Sequence, residues 1–355
     1  METKQRKLRK ENMAATFVLW ILMCAAAMAA MLQLAVHKTI VIADVPQDQA
    51  GLTAGMVQAD RDLRLVQREG GEGGISIPLP ENVKAEDVIM ENRYMERELW
   101  IYIRSENTEF YENNSVGVDL SSVLDAKYEI LPDGILLKFT VDKVQEYRST
   151  MGDHALEVAG GRPGDMYSYI VVIDPVGGGE DSGLCGYAYQ EKELALQVAK
   201  LVQKNFTLDD VKLYLTRAED ADVSAEDRIA LINAVGADFY IRVGAAEAPA
   251  DEGVYGIQCY YNDEYFFSGF GNVELADIVT KEVTIASSNR ALGLIPAEED
   301  SILREINIPA VQLSVGYLSN GRENNLLQQE AYLEKVAEGI INAVEKSCGR
   351  LAERN

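Results

Sequence analysis

Histidine is almost absent from this 355-residue chain, with His37 and His154 the only two. His37 closes a long apolar run and His154 lies far downstream among short alternating segments, so a site that needs two converging imidazoles cannot be assembled. Cysteine is scarce as well. Cys24 falls in the apolar run, and Cys185, Cys259 and Cys348 are far apart and lack metal-ligand spacing. That excludes a disulfide framework and leaves buried or idle thiols as the reading. Positive charge is short, with 33 Lys and Arg against 57 Asp and Glu and a formal net charge of −24. A surface that negative repels phosphate backbones, and no basic stretch with interleaved aromatics offsets it, so nucleic-acid binding is excluded. What is there is ordinary: 47% apolar and 25% charged residues exclude wholesale disorder, and the length suffices for two cores.

One long uncharged run stands out, Met13 to Val36. As a helix it is about 36 Å long, enough to cross a hydrocarbon core of about 30 Å. Lys4, Arg6, Lys7, Arg9 and Lys10 precede it, and cytoplasmic retention of those charges places everything after Lys38 outside the membrane. The small residues from Ala25 to Ala30 would also suit a cleaved signal peptide, but the run exceeds the usual signal core, which favours an uncleaved anchor. The expected organisation is a cytoplasmic basic tail at 1–12, a transmembrane anchor at 13–37 and a spacer at 38–74. The spacer ends in EGGEGG and is expected to hold one short helix around Met56 to Gln67.

From Ile75 to Arg162 apolar residues recur at every second position, as in Leu99, Ile101 and Ile103, with turns such as Pro132-Asp133-Gly134 between runs. That pattern predicts a small antiparallel β domain at 75–162. Beyond it strands and helices take turns. Val211–Leu215, Phe239–Val243, Gly256–Tyr261 and Ala310–Val315 read as strands; Glu191–Lys204, Ala225–Ala234, Val273–Ser287 and Ala331–Lys346 read as helices. The expectation for 163–349 is an α/β domain with a mainly parallel sheet flanked by helices.

The α/β segment opens on YIVVIDPVGGGEDSG, Tyr169 to Gly183, a buried strand running into a glycine loop. Further on come Glu191 in QEKELAL, the segment LTRAEDADVSAEDRIALINAVGAD with Arg217 and Arg228, the strand end IRVGAA, and PAVQLSVGYLSN. In this order they resemble the zinc-dependent N-acetylmuramoyl-L-alanine amidases of bacterial cell walls, whose motifs read DPGHGG-x-D-x-G, a Glu before the first helix, LTR, HAN and PAVLVELGFLSN. The resemblance covers about half the chain and implies an amidase-like fold. It also marks a departure. Gly177 stands at the first zinc-binding histidine, Glu191 at the zinc-binding glutamate, Gly244 at the second histidine, Ala246 at the asparagine and Ser314 at the catalytic glutamate.

Zinc hydrolysis of an amide needs three protein ligands, an open coordination position and a nearby carboxylate. Glycine has no donor, and serine cannot serve as a carboxylate base. The resemblance therefore implies a degenerate member: a membrane-anchored, extracytoplasmic protein without catalysis or bound metal, binding peptidoglycan or an envelope protein. The alternative is an active amidase that holds zinc through unorthodox ligands, with Cys185 and Cys259 as thiolates. Glu191 is otherwise expected to be a solvated carboxylate at a helix N-terminus. The GGGEDSG loop lacks the spacing of a phosphate-binding loop and reads as a turn. Seven aromatics between Tyr255 and Phe270 are expected to divide between the core and an exposed patch suited to sugar rings or a partner.

Overall fold

The computed structural model describes residues 39–40, 42–44, 60–68, 74–119, 122–186, 189–247, 253–297 and 301–353. The expected tail at 1–12 and anchor at 13–37 lie outside them. Among the described residues no helix is long and apolar enough to cross a membrane.

Alternation between Gly74 and Gly161 produces strands whose apolar side chains share one face: β4 (Gly74–Pro78), β5 (Val88–Arg93), β6 (Glu98–Arg104), β7 (Val116–Val118), β8 (Val123–Leu131), β9 (Gly134–Val141), β10 (Glu146–Met151) and β11 (Ala155–Gly161). Three shorter strands precede them, β1 (Ile42–Asp44), β2 (Arg61–Asp62) and β3 (Leu65–Gln67). They form two sheets, ordered β1-β5-β6-β9-β8-β2 and β10-β11-β4-β7-β3. Ile77, Val116, Val118 and Leu156 of the second meet Met90, Leu99, Ile101 and Phe139 of the first in one buried cluster, a sandwich closed by burial on both inner faces. Three strands depart from expectation. β1, β2 and β3 lie in the stretch read as spacer, and where a helix was expected up to Gln67 the chain pairs β2 with β8 and β3 with β7. Segments of two or three residues are too short to show a period. The β1/β5 and β3/β7 pairs are parallel, so the sandwich is not wholly antiparallel.

The second half runs β12 (Tyr169–Pro175), α3 (Glu191–Asn205), β13 (Val211–Leu215), α4 (Ala225–Val235), β14 (Phe239–Ala246), β15 (Ile257–Tyr261), α5 (Asn272–Ser287), β16 (Ala291–Pro296), α6 (Ser301–Glu305), β17 (Ala310–Tyr317), α7 (Gly321–Leu327) and α8 (Glu330–Ala352), with one-turn helices α1 (Phe110–Asn113) and α2 (Pro163–Met166) before it. The sheet order is β13-β12-β14-β17-β15-β16. The first four strands are mutually parallel, but β15 runs antiparallel to β17 and β16 runs parallel to β15, so the sheet is mixed. Period-two patterns carry no direction, which is why the reversal was not legible. Val171, Ile173, Val243 and Leu313 pack under α3, α5 and α8 on one face. Ile170, Val172 and Tyr240 meet Leu231 and Val235 of α4 and Ile302 of α6 on the other. Ser224 caps α4 by accepting from the Asp227 N–H, and Gly236 ends it in a left-handed conformation with φ of 68°.

The sandwich and the α/β sheet meet along β13. The Tyr94 hydroxyl donates to the Leu215 carbonyl at 2.7 Å and accepts from the Leu215 N–H at 3.2 Å, while the Tyr94 and Tyr214 rings meet edge to face at 5.0 Å. Beside them the Lys212 ammonium donates to Asp44 at 2.6 Å and Glu146 at 2.7 Å, and the Tyr214 hydroxyl donates to Glu146. Burial pushes the Glu146 carboxyl up, and the Asp44 charge adds to the rise.

Candidate functional site

The carboxyl ends of the parallel strands converge where the amidase motifs lie. Ser314 pairs with Gly244 on one side and Gln258 on the other. Glu191, the first residue of α3, reaches the same place, and Gly177 sits in the loop that follows β12. The four positions come together although 137 residues separate the first from the last.

What they assemble differs from the expectation. Glu191 is 4% exposed, so it is not a solvated helix-terminal carboxylate. Its Oε2 accepts from the Leu184 N–H at 2.8 Å and its Oε1 from the Ala245 N–H at 2.7 Å, tying α3 to the glycine loop and to the end of β14. A Cβ on Gly244 would stand 2.5 Å from Glu191 Oε1 and 3.0 Å from Val176 Cγ2; one on Gly183 would stand 2.6 Å from Oε2. The carboxylate thus fills the space into which a side chain at Gly244 would project. Gly177 has φ of 69°, and a Cβ there would meet the Asp181 carbonyl at 2.7 Å. Ser314 is fully buried, its Oγ donating to the Gly316 carbonyl at 3.3 Å. Next to it the Tyr317 hydroxyl donates to Gln258 Oε1 at 2.7 Å, and Gln258 Nε2 donates to the Tyr260 hydroxyl.

Burial raises the Glu191 carboxyl above its ordinary value, against the two main-chain donors that lower it. Because the folded value is the higher one, acidification through the window between it and the ordinary carboxylate value protonates the folded form first and favours folding. Glu191→Gln should cost about 1–3 kcal/mol at pH 7, because an amide accepts on one atom only and turns its NH2 on the other main-chain N–H. The variant should also lose Glu191's share of the stability gained on acidification. Urea unfolding of both proteins at pH 5 and 7 checks this, and equal stability at pH 7 would refute the bolting role.

The glycine loop is held from beneath by three charged residues. Arg217, fully buried, donates to the carbonyls of Pro175 (3.2 Å), Val176 (2.8 Å) and Lys192 (2.9 Å). Burial and the neighbouring Arg228 guanidinium pull its pKa down to about 10. Arg228 donates to the Pro175 carbonyl at 3.1 Å and the Gly177 carbonyl at 2.9 Å, and pairs with Asp174. Asp174 is fully buried and also accepts from the Thr216 and Tyr240 hydroxyls. The two arginines of the LTR segment thus hold the loop's backbone. Asp174, read from sequence only as a strand end, is the hub; a lone carboxylate after the apolar YIVVI was its signal. The loop's own N–H groups are engaged, Gly179 with Asp220 at 2.8 Å and Glu180 with Asp222 at 2.9 Å, which leaves no cradle for a phosphate.

The substitute ligands do not gather. Cys185 is exposed, with Sγ 3.7 Å from the Ser182 hydroxyl. Cys259 is fully buried among the residues packed under α3, α5 and α8, on the sheet face opposite Gln258, and burial raises its thiol to about 12. His154 lies at the turn between β10 and β11 in the sandwich. Among the described residues no three His, Cys, Asp or Glu side chains converge as metal donors. The aromatic segment forms no single patch either. Phe270 is core, whereas Tyr255 before β15 is 41% exposed and Tyr265 and Phe266 after it are 50% and 87% exposed. A five-residue strand, about 17 Å, separates the two exposed groups.

Comparison with known proteins follows the same boundaries. Residues 171–346 match the family model described as N-acetylmuramoyl-L-alanine amidase. A putative N-acetylmuramoyl-L-alanine amidase of Bacillus subtilis, YrvJ, is 32% identical over 184 residues, 52% of this chain and 34% of that protein. The N-acetylmuramoyl-L-alanine amidase CwlM of Bacillus licheniformis is 28% identical over 182 residues, 50% of this chain and 68% of its own length. Among solved structures, an N-acetylmuramoyl-L-alanine amidase from Clostridium difficile 630 is 29% identical with a TM-score of 0.47, covering 50% of this chain and 95% of that one. The chain thus spans about a third of YrvJ's length. Through residues 171–346, the chain belongs to the N-acetylmuramoyl-L-alanine amidase family.

Proposed function

We propose that this protein is a non-catalytic member of its family, anchored in the cell membrane through residues 13–37 with the rest of the chain outside, and that it binds peptidoglycan or an envelope protein. One observation carries the reading: the single carboxylate left at the family's metal-binding positions spends both oxygens on main-chain N–H groups and occupies the space of the missing imidazole. Gly177 and Gly244 offer no donor and Ser314 no carboxylate, so the residues present do not fit a zinc ion with three protein ligands and an adjacent base. The anchor rests on the uncharged run from Met13 to Val36 and the five basic residues before it.

The test is zinc analysis of the purified full chain together with digestion of sacculi. The expected result is less than about a tenth of an equivalent of zinc and no released stem peptide, with the protein sedimenting with the wall or with an envelope partner. Stoichiometric zinc and peptide release abolished by chelation would establish the alternative, an active amidase with unorthodox ligands.

A further inference from the structure

A groove of about 560 Å³ opens at the same end of the sheet as the blocked centre but on its far side, beyond β15. Because β15 runs antiparallel to β17, the residues before it lie next to the end of β17. Three segments meet there: the turn after α5, the start of α7 and the first turns of α8. They bring Arg290, Arg322 and Lys335 to one concavity, and all three side chains are exposed. In a chain of net charge −24 such a gathering is unusual. Among the described residues none of the three forms an ion pair; Arg290 instead lies over the Tyr255 ring at 5.8 Å.

The floor explains why the cations remain unspent. Glu323 is 2% exposed, and its carboxylate is met by neutral donors: the Gly256 N–H (3.0 and 3.1 Å), the Tyr317 N–H (2.8 Å) and the Asn289 amide (2.8 Å). Asn289 also donates to the Tyr332 hydroxyl at 2.7 Å, locking the floor. Glu323 therefore shapes the groove without pairing to its rim. The rim combines two forked guanidiniums, an ammonium and an exposed tyrosine face, and forked guanidiniums match carboxylates in a two-point fashion.

We propose that this groove is a binding site for an acidic segment of a partner protein, its carboxylates held by Arg290, Arg322 and Lys335 and its chain packed against Tyr255. The proposal deepens the binding role above on its partner-protein side, since three cations around one concavity fit a run of carboxylates. Family resemblance did not point here, since the motifs quoted from the sequence end at Asn320. The one local signal was Asn320-x-x-Glu323, a helix start whose asparagine accepts from the Arg322 and Glu323 N–H groups.

Calorimetric titration of the full chain with an acidic Asp/Glu decapeptide, and with a wall stem tripeptide (L-alanyl-D-glutamyl-diaminopimelate) as the comparison, tests it. The decapeptide should bind saturably and more tightly than the tripeptide. Affinity should fall about tenfold in the Arg290→Gln, Arg322→Gln double variant, and for the unaltered chain it should fall as salt is raised. Lys335→Gln alone should give a smaller loss. Failure of the decapeptide to bind, tighter binding of the tripeptide, an affinity indifferent to the double substitution, or equal affinity for inorganic phosphate would each overturn the assignment. Sedimentation of the double variant with sacculi separates the two proposals: undiminished wall binding alongside failed peptide titrations would sink the groove and leave the wall-binding role standing.

Discussion

Histidine placed at Gly244 is expected to destabilise the protein by about 1–3 kcal/mol and to bring no zinc with it. The new Cβ would stand 2.5 Å from Glu191 Oε1 and 3.0 Å from Val176 Cγ2, and Glu191 cannot step aside without abandoning the Ala245 and Leu184 N–H groups. Gly177→His adds a second conflict of a different kind. Its left-handed backbone disfavours any L side chain by about 1–2 kcal/mol, and the Cβ faces a main-chain oxygen, Asp181 O at 2.7 Å, which has no rotamer by which to move. With Ser314→Glu added, a carboxylate would enter a fully buried position whose present hydroxyl meets only the Gly316 carbonyl. The triple variant should therefore lose a large part of a stability that is about 5–15 kcal/mol for an ordinary domain. Urea unfolding and elemental analysis of the folded fraction measure both effects. One equivalent of zinc in a triple variant of unchanged stability would show that the metal site had lost its donors and kept its shape.

Removing the Arg228 guanidinium has the second large effect. Arg228→Leu strands Asp174, which is fully buried, and releases the carbonyls of Pro175 and Gly177 that position the glycine loop. Breaking one side of a buried pair costs about 3–5 kcal/mol. Arg242, whose Nε lies 3.4 Å from the Asp174 carboxylate, and the Tyr240 and Thr216 hydroxyls remain to limit the loss. The Asp174→Asn, Arg228→Leu double variant should be less destabilised than the sum of the two single ones, because the second change removes the stranded charge. Additive losses in chemical denaturation would mean that the two side chains act separately.

How far the sequence reveals this molecule varies from element to element. Val211–Leu215 was legible residue for residue, because a five-residue buried strand between a helix and a turn admits little else. The motif order implied one site for Gly177, Glu191, Gly244 and Ser314; the register pairs Gly244 with Ser314, and Glu191 lies against Gly244. The state of Glu191 was not legible. Whether a helix-terminal carboxylate faces water or main-chain amides depends on a loop that closes over it, and no local pattern encodes that closure. The strand Ala291–Pro296 escaped for another reason: Gly293 has φ of 113° and Pro296 ends it, so it lacks the alternation of a strand. The groove residues escaped because Arg290, Arg322 and Lys335 are unremarkable one at a time, and only the reversed direction of β15 sets their segments side by side.

The seam along β13 has a consequence for how the chain can be divided. β13 is the outermost strand on its side of the α/β sheet, and the Tyr94 hydroxyl occupies both hydrogen-bonding groups of Leu215, as a neighbouring strand would. Excision at Arg162 would strip that cover together with Glu146 and Asp44, leaving Lys212 without its two carboxylates beside an open row of main-chain donors and acceptors. Bare sheet margins recruit one another. The sandwich thus shields the β13 margin, and a family-like half cut free of it is expected to self-associate.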